Sequence, residues 1–117
     1  MTKEKPLARD IDALAKRHGV VITQLSADIS KEMRMCNKMM CFDAVITMGT
    51  FTNPELRIAI FYHELAHIEM GMARACTYEE EREVWRTAFT NMRKFGFLPS
   101  YSVLKECIKQ LYEYRDD

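Results

Sequence analysis

The sequence predicts an α+β domain in which a small antiparallel or mixed sheet packs on a buried helix, with further helices around it. Short β-branched and apolar segments at residues 20–25 and 44–51 favour strands. Three longer segments follow with helical spacing and marked ends, and one of them, over residues 54–70, is apolar nearly all round. Because 117 residues suffice for one core only, we expect a single domain over residues 1–117.

Composition places the chain among ordinary globular proteins. It is 48% hydrophobic and 29% charged, with 17 basic and 17 acidic residues, which argues against a disordered chain and against bulk electrostatic binding to nucleic acid. No apolar run approaches the ~18 residues of a membrane span, and the charged start lacks the apolar core of a signal peptide. We therefore expect a cytoplasmic protein with no membrane partner. Its four cysteines form no CxxC pair and are expected to be free thiols.

The N-terminal segment is predicted to form one amphipathic helix followed by a strand. Apolar residues repeat at helical spacing over residues 7–18, with Pro6 before them and Gly19 after them, as a helix start and stop require. We expect His18 to interact with the end of this helix and not to bind a metal. The β-branched segment over residues 20–25 then predicts a strand.

The next segment fits two local structures, a hairpin or a short helix. We favour the hairpin, in which Glu32–Cys36 pairs with Met39–Phe42 through a turn at Asn37-Lys38. A further strand is predicted over residues 44–51. Gly49 within it marks a bulge or the close approach of another backbone.

The rest of the chain is predicted to form three helices. The first, over residues 54–70, begins at Thr52-Asn53-Pro54-Glu55, which offers a hydroxyl or amide cap, a proline in the first turn and a capping-box glutamate. The second, over residues 77–95, has acidic residues in its first turn and a glycine after its end. The third begins at Pro99-Ser100 and repeats apolar residues three and four apart. We expect the final residues, 115–117, to fray.

The first of these helices carries the motif His63-Glu64-Leu65-Ala66-His67. At about 100° and 1.5 Å per residue, the two histidines lie about 40° apart on one face and can bind one metal ion. Glu64 lies about 100° round from His63, where it can contact a water on that metal. The alternative is a surface helix with two solvated histidines. The flanking residues are apolar, however, and buried polar groups need partners, which a bound cation would supply.

A catalytic zinc site usually has three protein ligands, so the two histidines call for one more. The acidic cluster over residues 79–83 is the place to expect it, although most of this cluster should be a solvated face that favours the helix dipole. Helical geometry places Glu81 near the apolar stripe that contains Trp85, whereas Glu83 points to solvent. We therefore predict Glu81 as the third ligand, with Glu80 as the alternative.

Both motifs together resemble the ImmA/IrrE-type zincin-like metallopeptidases of bacteria, prophages and mobile elements. The likeness rests on the histidine motif at residues 63–67 and on the segment 81–88, in which Glu81, Val84 and Ala88 match the family's pattern. It covers roughly residues 40–112.

This resemblance implies a zincin-like fold and a Zn²⁺ cofactor held by His63, His67 and Glu81. Glu64 would then be the catalytic general base for peptide hydrolysis. Better-known members act on a partner repressor, so the resemblance implies a regulatory protease whose substrate is a protein or peptide, for example a phage or mobile-element repressor. Many members carry a helix-turn-helix domain for which this chain has no room, and direct nucleic-acid binding is not expected.

Two expectations concern the substrate. The strand over residues 44–51 would lie beside the site and accept substrate as an added strand, and Tyr78 or Tyr101 would assist at the oxyanion. Two alternatives to the peptidase stay open. One is a catalytically silent metal-binding regulator of the same fold that acts by protein contact, and the other is a helical domain with a chance motif.

Overall fold

A computed structural model of the chain describes residues 6–113, with side chains from residue 8 onward; the predicted fraying over residues 115–117 lies outside these ranges. A 3₁₀ turn at Pro6–Arg9 precedes the regular elements. They are α1 (Ile11–Arg17), β1 (Val21–Gln24), α2 (Ala27–Glu32), β2 (Met39–Phe42), β3 (Val45–Met48), α3 (Pro54–Glu69), α4 (Tyr78–Phe95) and α5 (Tyr101–Glu113). The predicted α+β class is confirmed. None of the described helices is both long and apolar enough to cross a membrane.

The sheet is mixed and has the strand order β1-β3-β2. β1 runs parallel to β3, with Val21 opposite Val45, and β2 runs antiparallel to β3, with Phe42 also opposite Val45. A two-residue turn at Asp43-Ala44 joins β2 to β3, and Asp43 has the left-handed φ of 57° that a short polar side chain tolerates. β3 is therefore the central strand, and β2 is an edge strand.

Burial alternates along the strands, as expected for a sheet with one covered face. Ile46 and Met48 of β3 are fully buried and belong to the main core. The opposite face carries Met40 and Phe42 of β2, which are exposed. The helices cover only one side of the sheet, and β2 lies directly against α3.

α3 is the central helix of the fold, in contact with α1, α4, α5 and β2. Every residue from Ile58 to His67 is buried, which confirms the prediction of a helix that is apolar nearly all round and buried. The histidine motif therefore lies inside the protein.

The start of α3 is capped by Asn53 and not by the predicted capping box of Thr52 and Glu55. The Asn53 Oδ1 accepts hydrogen bonds from the backbone N–H groups of Glu55 and Leu56, at 2.9 and 3.1 Å. Glu55 instead accepts the backbone N–H of Ser100 at 2.8 Å. This contact ties the start of α5 to the start of α3.

α4 begins with a complete capping box. The Thr77 Oγ1 accepts the backbone N–H of Glu80 at 3.2 Å, and the Glu80 Oε1 accepts the backbone N–H of Thr77 at 3.0 Å. Gly96 ends the helix with a left-handed φ of 92°. Since the box fixes where the helix starts, it also fixes the direction in which Glu81 points.

The predicted single helix over residues 7–18 is wrong at its N-terminal end. The 3₁₀ turn comes first, and α1 starts only after Asp10, whose Oδ1 accepts the backbone N–H of Ala13 at 3.0 Å. The expected interaction of His18 with the end of α1 is confirmed, because its Nδ1–H donates to the carbonyl of Leu14 at 2.9 Å. Its Nε2 lies 3.1 Å from an oxygen of Glu69.

The favoured hairpin is also wrong in its first strand. α2 ends at Glu32, after a start at which the Ser26 Oγ accepts the backbone N–H of Ile29 at 3.2 Å. A loop with left-handed residues at Arg34 and Asn37 follows. Met39–Phe42 is a strand as predicted, but it pairs with β3.

Gly49, just after β3, lies where another backbone comes close. A Cβ atom at this position would lie 1.8 Å from the carbonyl oxygen of Met35. The predicted close approach is therefore confirmed, and it presses the loop before β2 against the end of β3.

Candidate metal centre

Two helices bring His63, His67 and Glu81 together. The histidines lie one turn apart on α3, and Glu81 lies in the first turn of α4. The Nε2 atoms of His63 and His67 are each 2.8 Å from a carboxylate oxygen of Glu81, Oε1 and Oε2 respectively. One potential ligand atom from each residue lies within 4.8 Å of the others, a spacing that a single cation can bridge.

This cluster is almost closed to solvent. The exposed fractions of His63, His67 and Glu81 are 7%, 5% and 0%. A carboxylate removed from water in this way is costly unless a positive charge compensates it. The prediction that Glu81 points inward is confirmed by its complete burial.

The Nε2 of His67 faces the carboxylate of Glu81. Its Nδ1 lies 2.9 Å from the carbonyl oxygen of Met72, and because a carbonyl only accepts, Nδ1 carries the proton. The Nε2 of the same ring faces the Glu81 Oε2 at 2.8 Å. This oxygen is buried and forms no hydrogen bond among the described residues. A proton on the His67 Nε2 or a bound metal cation would hold this nitrogen and this oxygen together.

Both nitrogens of His63 face carboxylates. Its Nδ1 lies 3.0 Å from the Glu64 Oε2, and its Nε2 lies 2.8 Å from the Glu81 Oε1. Burial disfavours the charged ring, but the hydrogen bonds with Glu64 and Glu81 outweigh it and raise the pKa of His63 to about 9. In the metal-free protein this ring is therefore positively charged at neutral pH.

Glu81 stays ionised although it is buried. Burial acts to raise its pKa, but the hydrogen bonds and charges of His63 and His67 outweigh this effect and lower the pKa to about 2. The centre thus offers a carboxylate and two imidazole Nε2 atoms. This donor set is one that divalent zinc binds in open catalytic sites, and the buried carboxylate of Glu81 fits such an ion.

Outer contacts hold the rings in place. The imidazole of His63 stacks on the indole of Trp85, with 4.1 Å between ring centroids and 18° between planes. The Met72 carbonyl fixes His67, and the Glu64 carboxylate fixes His63. Such contacts orient metal-binding histidines and set which nitrogen is free to bind.

Glu64 lies between two clefts that open at the centre. The larger, of about 540 Å³, is lined by His63, Glu64 and Trp85 together with residues 36–39, which lead into β2, and with residues of α5. The smaller, of about 290 Å³, is lined by Glu64, both histidines, β2 and the segment 73–75. Glu64 thus borders the space of both clefts.

β2, and not the predicted strand over residues 44–51, lines these clefts. Met39 belongs to the lining of both. β3 has a neighbour on each side, so its backbone has no free edge to offer. The expectation that the strand at residues 44–51 accepts a peptide is therefore wrong, because the parallel pairing of β1 places β3 in the centre of the sheet.

The other sequence candidates lie elsewhere. Glu80 forms an ion pair with Arg74, with an oxygen–nitrogen distance of 3.0 Å, and Glu83 is exposed and pairs with Arg86. Neither Tyr78 nor Tyr101 lines the two clefts. Tyr101 is 76% exposed, so the structure gives no support for an oxyanion role for either tyrosine.

Two cysteines lie near the centre, which the sequence did not predict. The Cys76 Sγ lies 3.8 Å from the His67 Nδ1, and Cys41 lines the smaller cleft beside Glu64. Burial and the charge of Glu64 raise the pKa of Cys41, so its thiol stays protonated. Both are free thiols, as predicted. No spacing in the sequence links them to the motif, because the fold alone brings them there.

Comparison of the chain with protein-family models, with curated proteins and with solved structures found no match.

Proposed function

We propose that this chain is a zinc-dependent peptidase with a zincin-like fold that cuts a regulatory protein or peptide partner. The observation that carries the proposal is the buried Glu81 Oε2, which forms no hydrogen bond within residues 8–113 and lies 2.8 Å from the His67 Nε2. Two imidazoles, one carboxylate and an adjacent glutamate at the mouth of a cleft form the residue set of a metal-assisted hydrolase.

His63, His67 and Glu81 would hold the metal through the two Nε2 atoms and the Glu81 carboxylate. A divalent ion bound there would acidify a water and polarise the carbonyl of the bond to be cut. The Nδ1–H of His63 would then donate to Glu64, and that of His67 to the Met72 carbonyl, which keeps both Nε2 lone pairs free for binding.

Glu64 would be the general base. It lines both clefts and would accept a proton from the attacking water, then deliver it to the nitrogen of the leaving amine. Its contact with the His63 Nδ1 holds the carboxylate next to the centre. Peptide hydrolysis needs both transfers, and one carboxylate at this position can perform them in turn.

The free edge of β2 would position the substrate. In an antiparallel pair, alternate residues direct their N–H and C=O groups away from the partner strand. Phe42 and Val45 flank the two-residue turn and form a hydrogen-bonded pair, and the Lys38 carbonyl accepts the backbone N–H of Gly49 at 3.0 Å. The residues between these pairs alternate, so Met39 and Cys41 direct their backbone N–H and C=O groups away from β3. An extended peptide that pairs with them would cross the mouth of the centre.

Glu64→Gln tests this proposal because it removes the base but keeps the shape of the side chain. Zinc-loaded wild type, Glu64→Gln and the control Glu83→Gln would be incubated with a proteome-derived peptide library, and new termini would be counted by mass spectrometry. We expect Glu64→Gln to bind zinc and lose at least about 100-fold in cleavage, with Glu83→Gln unchanged. Cleavage that survives Glu64→Gln contradicts the proposal.

A second candidate is a metal-binding regulator that acts by contact alone. The exposure of Met40 and Phe42, at 52% and 77%, on the strand beside the centre favours a protein partner at this surface. In that case zinc-loaded wild type would leave the library uncut, and Glu64→Gln would change nothing.

A further inference from the structure

One wall of the larger cleft is acidic. Glu106, Gln110 and Glu113 of α5 line it and follow one another at spacings of four and three residues, which places them on one face of the helix. They span about 10 Å along the helix axis. The same cleft is lined by His63 and Glu64, so this wall and the reactive centre face one space.

Neither Glu106 nor Glu113 forms an ion pair with another residue of the described range 8–113. By contrast, five other glutamates of the chain each lie within ion-pair distance of a basic side chain: Glu55, Glu69, Glu79, Glu80 and Glu83. The lysine that lines the cleft, Lys38, comes from the loop before β2. The α5 wall therefore offers two carboxylates without an ion pair in this range, with Lys38 in the same cleft and Lys109 about one turn from each of them on α5.

These two carboxylates do not form a metal site. They lie two helical turns apart, farther than one ion can bridge, and they join no cluster of ligand atoms in the described residues. A long cationic side chain suits them better because it carries its charge on a flexible stem several ångströms from the backbone.

We propose that this acidic wall selects a substrate with a lysine or arginine beside the bond that is cut, on the side of the cleft formed by α5. The inference rests on the proposed peptidase function and adds its substrate class. A peptide held along β2 would place its side chains alternately toward and away from the cleft. A basic side chain that enters the larger cleft meets Glu106 and Glu113, whereas an acidic one meets two like charges.

Peptide binding tests this inference independently of cleavage. The protein is zinc-loaded Glu64→Gln, which cannot turn over substrate, and the probes are three fluorescein-labelled nonapeptides that are identical except for a central lysine, glutamine or glutamate. We expect anisotropy titrations at low salt to rank lysine first, with the lysine peptide at least about tenfold tighter than the glutamate peptide.

Charge-neutral variants assign that preference to the wall. Adding Glu106→Gln and Glu113→Gln should reduce the difference to about twofold, whereas the control pair Glu79→Gln and Glu83→Gln, which makes the same change in net charge on α4, should leave it intact. Equal binding of the three peptides, no binding of any of them, or a preference that survives the α5 changes overturns the inference. Wild-type cleavage of a library without basic residues at the cut would overturn it and leave the peptidase proposal standing.

Discussion

The Nε2 of His63 lies 2.8 Å from the Oε1 of Glu81, although 18 residues separate them in the chain. α3 buries the histidine, and the capping box of Thr77 and Glu80 starts α4 at the register that turns Glu81 inward. The contact joins two charges in a site closed to water. The pH dependence of this contact follows from the cation that the two side chains share, which is a proton in the metal-free protein and zinc in the loaded protein.

Zinc affinity should increase with pH. The pKa of His63 is raised to about 9 by its hydrogen bonds with Glu64 and Glu81, against the opposing effect of burial, so zinc must displace a proton from this ring at lower pH. We expect the Kd to fall about tenfold per pH unit between about pH 7 and 9, measured by competition with a chelator of known affinity.

Glu64→Gln supplies the control for that titration. It removes a carboxylate that raises the pKa of His63, so the pH above which the affinity stops rising should move down. A Kd that is independent of pH between 7 and 9 would show that the His63 Nε2 does not bind the zinc.

Metal-free protein should be most stable between about pH 4.5 and 6.5. His63 has its pKa raised from 6.5 to about 9, so its contribution is complete below pH 6.5 and is lost as the pH rises through 9. Glu81 has its pKa lowered from 4.5 to about 2, so its contribution is complete above pH 4.5 and is lost as the pH falls through 2.

Urea denaturation in a chelator checks this pH dependence. The free energy of unfolding should decrease by about 3 kcal/mol between pH 6.5 and 9. Zinc-loaded protein should not show the decrease, since its His63 carries no proton on Nε2. A stability that is flat over this range without zinc would contradict the assigned contacts of His63.

Gly49→Ala should destabilise the fold strongly. A Cβ atom would lie 1.8 Å from the backbone oxygen of Met35, which cannot move away as a flexible side chain could. We expect a loss of about 3 kcal/mol or more in the free energy of unfolding, measured by urea denaturation.

Gly71→Ala is the comparison for Gly49→Ala. The added methyl group has open space, and only the left-handed φ of 70° opposes it, so the cost should be about 1 kcal/mol. A Gly49→Ala protein as stable as this variant would mean that the loop before β2 does not press on the end of β3.

The last three helices and the inward direction of Glu81 could be predicted from sequence because they depend on local patterns. Asn53-Pro54 marks the start of α3, and Thr77 marks the start of α4. The inward direction of Glu81 follows from its spacing to Trp85. The segment at residues 27–36 could not be assigned, because its alternating methionines imitate a strand while Ser26 caps a helix.

Sheet order and the surroundings of the site depend on contacts distant in sequence. The pairing of β1 with β3 leaves β2 at an edge of the sheet. The residues of β2 carry no pattern from which this position could be predicted. The Met72 carbonyl, Cys76 and the α5 wall reach the centre only through packing. Sequence alone therefore predicted which three side chains come together at the centre, but not the contacts that hold them or the shape of the cleft.

The zinc content of the Glu81→Ala protein is the most direct test of the metal centre. Wild type, Glu81→Ala and the control Glu83→Ala would be loaded with zinc and dialysed, and metal would be measured by mass spectrometry of the digested protein. We expect about one zinc per chain in wild type and in Glu83→Ala, and an affinity at least about 100-fold weaker in Glu81→Ala. A folded Glu81→Ala protein that keeps as much zinc as wild type, or a wild type that keeps none, would contradict the account.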